Sequence, residues 1–211
     1  YNVKDKKVPS VTTILSGTQS KEKQQSLDRW RERVGYVEAS RITAQAAKRG
    51  TEMHYVLEQY MKGQGYLNLG SEGSLPRMMA HTIVENLGKL SEVYGTEVNL
   101  AYEDKWAGST DLVCVYDGKP TIVDFKQSNK PKKVEWIEDY KLQLCAYAEA
   151  HNEVYGTKIK KGVVLMAVKP AVDDMGHLKE DPLYQEFIVE GDDFEHWRQQ
   201  WWKRVEKYYT Q

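Results

Sequence analysis

Two cysteines in 211 residues are too few for the disulfide framework that holds small secreted domains together. Cys114 and Cys145 each sit among apolar residues and read as two buried thiols. Long hydrophobic runs are also missing. No stretch approaches the roughly 18 apolar residues that span a bilayer, and no signal-peptide pattern opens the chain, so a soluble protein without a membrane partner is expected. The sequence starts at Tyr1 with no initiator Met, which leaves room for a preceding segment and any targeting signal in it. A charge of one sign is lacking too: 30 basic residues face 31 acidic ones, for a formal net charge of -1. That balance gives no global attraction to a polyanion, so any nucleic-acid site must be a local patch. There is no internal repeat, no low-complexity linker and no obvious coiled coil, and a monomer is expected.

What is present is an ordinary globular composition, 40% hydrophobic and 29% charged, in a length that fits one domain. Residues 8 to 16 are apolar and β-branched after a Pro, and their state stays open. Helical spacing predicts helices over Lys21 to Arg33, over Val37 to Met61 ending before "KGQG", and over Leu75 to Tyr94. Period-two texture then predicts strands at 97–104, 107–116 and 119–126. A long helix is expected from Val134 to Tyr155, with Ile137, Tyr140, Leu144 and Tyr147 on one buried face. "KKGVVLMAVKP" reads as a buried strand and "YQEFIVE" as an edge strand. A closing helix from Asp192 to Tyr209 carries aromatics (Trp197, Trp201, Trp202, Tyr208, Tyr209) whose spacing suits a core better than base stacking. The expected architecture is one α/β domain, a mixed sheet flanked by helices: 1–95 mostly helical, 96–190 the sheet and its helix, 191–211 the last helix.

The most informative segment is "GSTDLVCVYDGKPTIVDFKQS", residues 108 to 128. Asp117-Gly118 is a strong hairpin signal, and a two-residue loop there sets Tyr116 opposite Lys119, Val113 opposite Ile122 and Asp111 opposite Asp124. Directly opposed residues point to the same side of a sheet with Cβ atoms about 4.5–5.5 Å apart. Two carboxylates so placed need a shared proton or a bound cation. Lys126 falls on the same face by alternation. One reading is an oxygen-rich site for Mg²⁺ or Mn²⁺ with a lysine beside it, suited to phosphodiester hydrolysis. The other has both aspartates at strand ends in solvent, with Lys126 pairing one of them. The hairpin by itself leaves both open.

Asp111 followed by "DFK" at Asp124 to Lys126 resembles the motif of the PD-(D/E)XK nucleases, with Ser109-Thr110-Asp111 in place of the literal Pro-Asp. "RGTEMH" at Arg49 to His54 is similar to the upstream Gly-x-x-x-His element of the RecB-like branch, and "QLCAY" at Gln143 to Tyr147 to its Gln-x-x-x-Tyr element. The opening "PSVTTIL", "DFKQSNKPK" and the last helix resemble the mitochondrial genome maintenance exonuclease family and its phage relatives. Gln127 departs from the Thr that those relatives favour, which puts a phosphate contact there in doubt.

The resemblance implies a restriction-endonuclease-like core and a metal-dependent DNA exonuclease acting on single-stranded ends. It implies His54, Asp111, Asp124 and the Phe125 backbone carbonyl as metal ligands, with the imidazole favouring Mn²⁺ over Mg²⁺. Lys126 is implied as the catalytic lysine, and Gln143 and Tyr147 as residues that orient it and the DNA end. Arg49, Ser128, Lys130 and Lys133 are the candidate substrate contacts, with Lys48 and Lys132 adding to the basic patches. Glu58, one turn from His54, reads as an ordinary surface carboxylate that could support the metal shell. Iron–sulfur members of the branch need four cysteine ligands, so no such cluster is expected here. The compartment stays open between a bacterial or phage-infected cytoplasm and a mitochondrial matrix. A dimeric restriction-like endonuclease and a catalytically silent binding fold remain as alternatives.

Overall fold

The computed structural model describes residues 1–64 and 74–211; Gly65, the last residue of "KGQG", lies outside them. A small hairpin, β1 (Asn2–Val3) with β2 (Lys6–Lys7), opens the chain. The undecided segment that follows is a short helix, α1 (Val11–Gly17), because the Ser10 hydroxyl accepts the Thr13 N–H at 3.0 Å and caps it. Helix α2 (Lys21–Val34) is capped in the same way by Ser20 and buries no side chain. Gly35, at φ 86°, turns the chain into α3 (Tyr36–Met61), and α4 (Leu75–Val84) follows.

The sheet has five strands in sequential order: β3 (Leu90–Tyr102), β4 (Trp106–Tyr116), β5 (Lys119–Ser128), β6 (Lys161–Val168) and β7 (Leu183–Glu190). Only β5 and β6 run parallel, and the crossover that parallel pairing requires is α5 (Glu138–Tyr155). Helix α6 (Gly191–Thr210) closes the chain.

Two departures from the sequence reading concern the same region. The helix expected to reach Tyr94 stops at Val84, and the strand expected from residue 97 begins at Leu90. The sheet therefore starts inside the 1–95 segment assigned to the helical part. The Asn86 side chain folds back to the Thr82 carbonyl at 2.8 Å, and Gly88 follows, which ends the helix. The early part of β3 carries two register shifts, between Leu90 and Glu92 and between Val93 and Gly95. A bulge erases the period of two by which a strand is read. A smaller departure is the start of α5, which is preceded by a 3₁₀ turn over Val134–Trp136.

The sheet is covered on both faces. On one, α1, α5 and α6 enclose Val113, Ile122, Val164 and Met166; on the other, α3 and α4 enclose Leu112, Val123, Phe125, Val163 and Leu165. Gly162 lets α5 approach, since a Cβ there would lie 2.7 Å from that of Leu144. Of the α6 aromatics Trp201 is fully buried and meets Trp106 edge to face at 5.3 Å, Trp197, Trp202 and Tyr208 pack partly buried against the core, and Tyr209 is exposed. Cys114 and Cys145 are both buried and free. Among the described residues no helix is long and apolar enough to cross a membrane.

Candidate active site

Asp117 and Gly118 both take positive φ, 50° and 73°, as the tight hairpin turn requires. The register follows as the sequence dictates, with Tyr116 opposite Lys119 and Val113 opposite Ile122. The ladder ends one step short of the two aspartates, at Leu112 and Val123. Beyond that point the Asp111 carboxylate substitutes for the departing strand, accepting the Phe125 N–H at 2.7 Å.

This substitution frees a carbonyl. On a strand between two neighbours, the N–H and C=O of one residue point the same way in an antiparallel pairing. Both groups of Phe125 therefore face the gap that β4 has left. Its oxygen is met by His54 Nε2 at 2.9 Å, and the same imidazole nitrogen stands 3.3 Å from Asp111 Oδ2. His54 reaches across from α3, its Nδ1 held 2.8 Å from the Gly50 carbonyl, which fixes the ring and leaves Nε2 for the site.

Helix α3 is pinned there by Gln127. Its Oε1 accepts Arg49 Nε at 2.7 Å and its Nε2 donates to the Ala46 carbonyl at 3.0 Å, while the other arm of Arg49 donates to Asn129 Oδ1. Arg49, expected to hold substrate, thus ties α3 to the end of β5.

On the α5 face, Lys126 Nζ lies 2.7 Å from Asp124 Oδ2 and donates to Gln143 Oε1 at 3.0 Å. Gln143 Nε2 in turn donates to the Tyr147 hydroxyl at 3.3 Å. Tyr147 is only 5% exposed and lies against Gly108. That burial leaves its hydroxyl to Gln143. The Tyr140 ring centroid is 5.0 Å from Lys126 Nζ. Ser128, another expected substrate contact, spends its hydroxyl within the following turn, donating to the Lys130 carbonyl and accepting the Lys130 N–H. Lys130 and Lys133 stand exposed on that turn.

The charges are set by these neighbours. Burial raises the Asp124 carboxyl to about 7, the Lys126 charge opposing and the Asp111 charge adding to the rise. Burial acts on Asp111 in the same direction, yet its hydrogen bond to His54 and the imidazole charge hold it below the usual carboxylate range. Burial likewise works against a charged His54, but Asp111 overcomes it and carries the imidazole up to about 9. Lys126 follows the same logic: burial lowers it, and Asp124 and Asp111 more than restore it.

A hard divalent cation fits this set. Ligands at about 2.0–2.1 Å in an octahedral shell stand about 3 Å apart, close to the 2.9 and 3.3 Å between His54 Nε2 and the Phe125 and Asp111 oxygens. Asp124 Oδ2 is buried without a well-aligned hydrogen bond. The side chains do not yet form a cage: among the described residues no three His, Cys, Asp or Glu converge as ready ligands. Lys126 lies against Asp124 and His54 against Asp111, so each carboxylate is met by a cationic or basic side chain of the protein.

His54, Asp111 and Lys126 line a cleft of about 750 Å³ between α3, the sheet and Tyr140. Glu58 and Glu97 are also on its wall. Glu97 carries no motif that would single it out: it stands across from Asp111 because β3 pairs Thr96 with Leu112 and Val98 with Thr110. Its φ of 47° is one that no strand pattern predicts.

The profile of the PD-(D/E)XK nuclease superfamily matches residues 73–210, well over half of the chain. The protein belongs to that superfamily. Its members generally use divalent metals. The mouse mitochondrial genome maintenance exonuclease 1 is 29% identical over 95% of this chain and 59% of its own length, and the human protein is 27% identical over 95% and 58%. The chain therefore spans somewhat under two thirds of these relatives. A solved structure from Eubacterium rectale superposes with a TM-score of 0.48 at 16% identity, covering 75% of this chain and 64% of that one, a likeness too distant to argue from.

Proposed function

We propose that this protein is a metal-dependent DNA exonuclease that hydrolyses phosphodiester bonds at free ends of single-stranded DNA, working as a monomer with Mg²⁺ or Mn²⁺. The observation that carries the reading is the break in the β4–β5 ladder. It brings Asp111, the Phe125 carbonyl and His54 to one point, with Asp124 and the Lys126 ammonium beside them.

When bound, a divalent cation supplies charge neutralisation at the phosphoryl group and acidifies water. The protein's own part is chiefly electrostatic. Lys126 enters the cleft as a cation, positioned by Gln143, and meets the negative charge that grows on the phosphoryl oxygens in the transition state. Asp111 and Asp124 hold the anionic side of the site. The Gly50 carbonyl presents His54 with Nε2 forward. The exposed ammonium groups of Lys130 and Lys133 offer phosphate contacts on the turn that leaves β5.

The exonuclease and DNA assignments draw their support from the names of the mouse and human relatives. Single-strand preference draws support from the cleft wall, which includes Tyr55, 63% exposed, an aromatic that an unstacked base can use. The test is digestion of end-labelled linear single-stranded, duplex and circular DNA with Mg²⁺, Mn²⁺ or EDTA. Release of short products from linear single strands, with circles intact and EDTA abolishing the reaction, is expected. Cleavage of circles would make the enzyme an endonuclease instead.

A further inference from the structure

Five of the six tryptophans are buried or partly buried, and Trp136 alone is exposed, at 60%. Most of its indole is left in water, open to a ligand. Its setting is built with care. The turn that carries it leaves β5 after Ser128, two residues beyond Lys126, and its first part is closed by the Ser128 hydroxyl. The main chain of Lys132 is then clamped on both sides by the Gln185 amide, donating to Oε1 at 2.8 Å and accepting from Nε2 at 3.0 Å. Ile137, immediately after Trp136, is buried and anchors the far end. The backbone is fixed while the indole stays free.

Two further features mark what the indole faces. The Lys133 ammonium lies over the ring, 5.2 Å from its centroid, so one face of the platform carries a positive charge. Four residues on, Tyr140 borders the cleft and approaches Lys126. An exposed aromatic ring with an ammonium against it, four residues from a side chain that lines the cleft, suits a nucleobase and its phosphate better than an apolar protein segment.

Resting on the nuclease reading above, we propose that Trp136 and Lys133 form a stacking subsite for an unpaired base of the strand next to the scissile phosphate, making this turn a determinant of single-strand selectivity. A base inside a duplex has both faces covered by its neighbours and cannot use the platform. Stacking is also indifferent to base identity, so the subsite selects strandedness without reading sequence.

The test is equilibrium binding in EDTA, where no hydrolysis occurs. Labelled oligo(dT), the same strand with abasic residues, and a duplex of equal length are titrated with the wild type and with Trp136→Ala, Trp136→Phe and Trp136→Leu. Trp136→Ala weakens oligo(dT) binding about tenfold, the scale of one stacked base. Phe restores most of the loss and Leu does not. The abasic strand binds the wild type and Trp136→Ala alike, and duplex affinity does not move. Equal binding of oligo(dT) by Trp136→Ala, or rescue by Leu as complete as by Phe, overturns the subsite. Cleavage by the wild type with Trp136→Ala binding unchanged overturns it while sparing the nuclease reading. The expected binding pattern with no cleavage in any metal overturns the nuclease reading alone.

Discussion

Arg49 Nε donates to Gln127 Oε1 at 2.7 Å, and with the Gln127 amide bond to the Ala46 carbonyl this contact ties the helix that carries His54 to the strand that carries Asp124 and Lys126. Hydrogen bonds to a charged group are worth about 1.5–3 kcal/mol. Gln127→Ala should therefore loosen α3 over the site far more than it unfolds the protein. The expected result is Mn²⁺ affinity at least tenfold lower by titration calorimetry, with a melting temperature lowered by only several degrees, so the protein stays folded at the assay temperature. Arg49→Lys should behave like Gln127→Ala, since an ammonium cannot replace a guanidinium that spans Gln127 and Asn129. Unchanged Mn²⁺ affinity in both variants would show that the clamp is dispensable.

The Lys126–Gln143 contact at 3.0 Å separates chemistry from binding. Lys126→Ala should abolish hydrolysis while leaving strand affinity nearly intact. Gln143→Ala keeps the ammonium but releases its aim, and about a 10- to 100-fold fall in kcat with little change in KM is expected, as for a positioning residue. A matching rise in KM in either variant would place these side chains in substrate binding instead.

Metal binding should be proton-linked. A ligating imidazole must be neutral, whereas His54 in the metal-free protein titrates at about 9, because Asp111 outweighs the effect of burial. Below that value a cation must displace its proton, so affinity should rise as pH climbs from 7 and level off near 9. Stability without metal should move the other way. A group whose folded pKa lies above its unfolded value of 6.5 contributes fully below 6.5 and loses that contribution as pH rises through about 9. The melting temperature of the EDTA-treated protein should thus fall between pH 6.5 and 9, and His54→Gln should flatten both curves. Calorimetry in buffers of different ionisation enthalpy counts the released proton directly.

The hairpin was legible in the sequence because Asp117-Gly118 permits one turn geometry, and the turn sets every pair up to Leu112 and Val123. It could not reveal that the ladder stops there, or that Asp111 then accepts the Phe125 N–H, because strand splaying leaves no periodic trace. The Phe125 carbonyl and His54 came from family resemblance, and the structure explains the freed carbonyl by the geometry of the gap. The long α3 and α5 announced themselves through spacing, while the bulged start of β3 was hidden by its own irregularity. Long-range polar pairs such as Arg49 with Gln127 are invisible to pattern, since neither residue type in isolation predicts the other.

Gly108 offers the sharpest check on the buried side of the site. A Cβ at that position would lie 2.8 Å from Tyr147 Cε1, so Gly108→Ala must push the ring away. The ring supports the Tyr147 hydroxyl, which accepts from Gln143, and Gln143 holds Lys126. Overpacking of this kind costs about 1–3 kcal/mol in stability, and the displaced ring should also lower kcat. Tyr147→Phe, by contrast, removes only a 3.3 Å hydrogen bond and should reduce kcat a few-fold with stability nearly unchanged. Pairing Gly108→Ala with Tyr147→Leu relieves the clash, so the double variant should melt above the sum of the two single losses by about 1 kcal/mol or more. Strict additivity in that cycle would mean that the β4 backbone, rather than the Tyr147 ring, yields to the new methyl group.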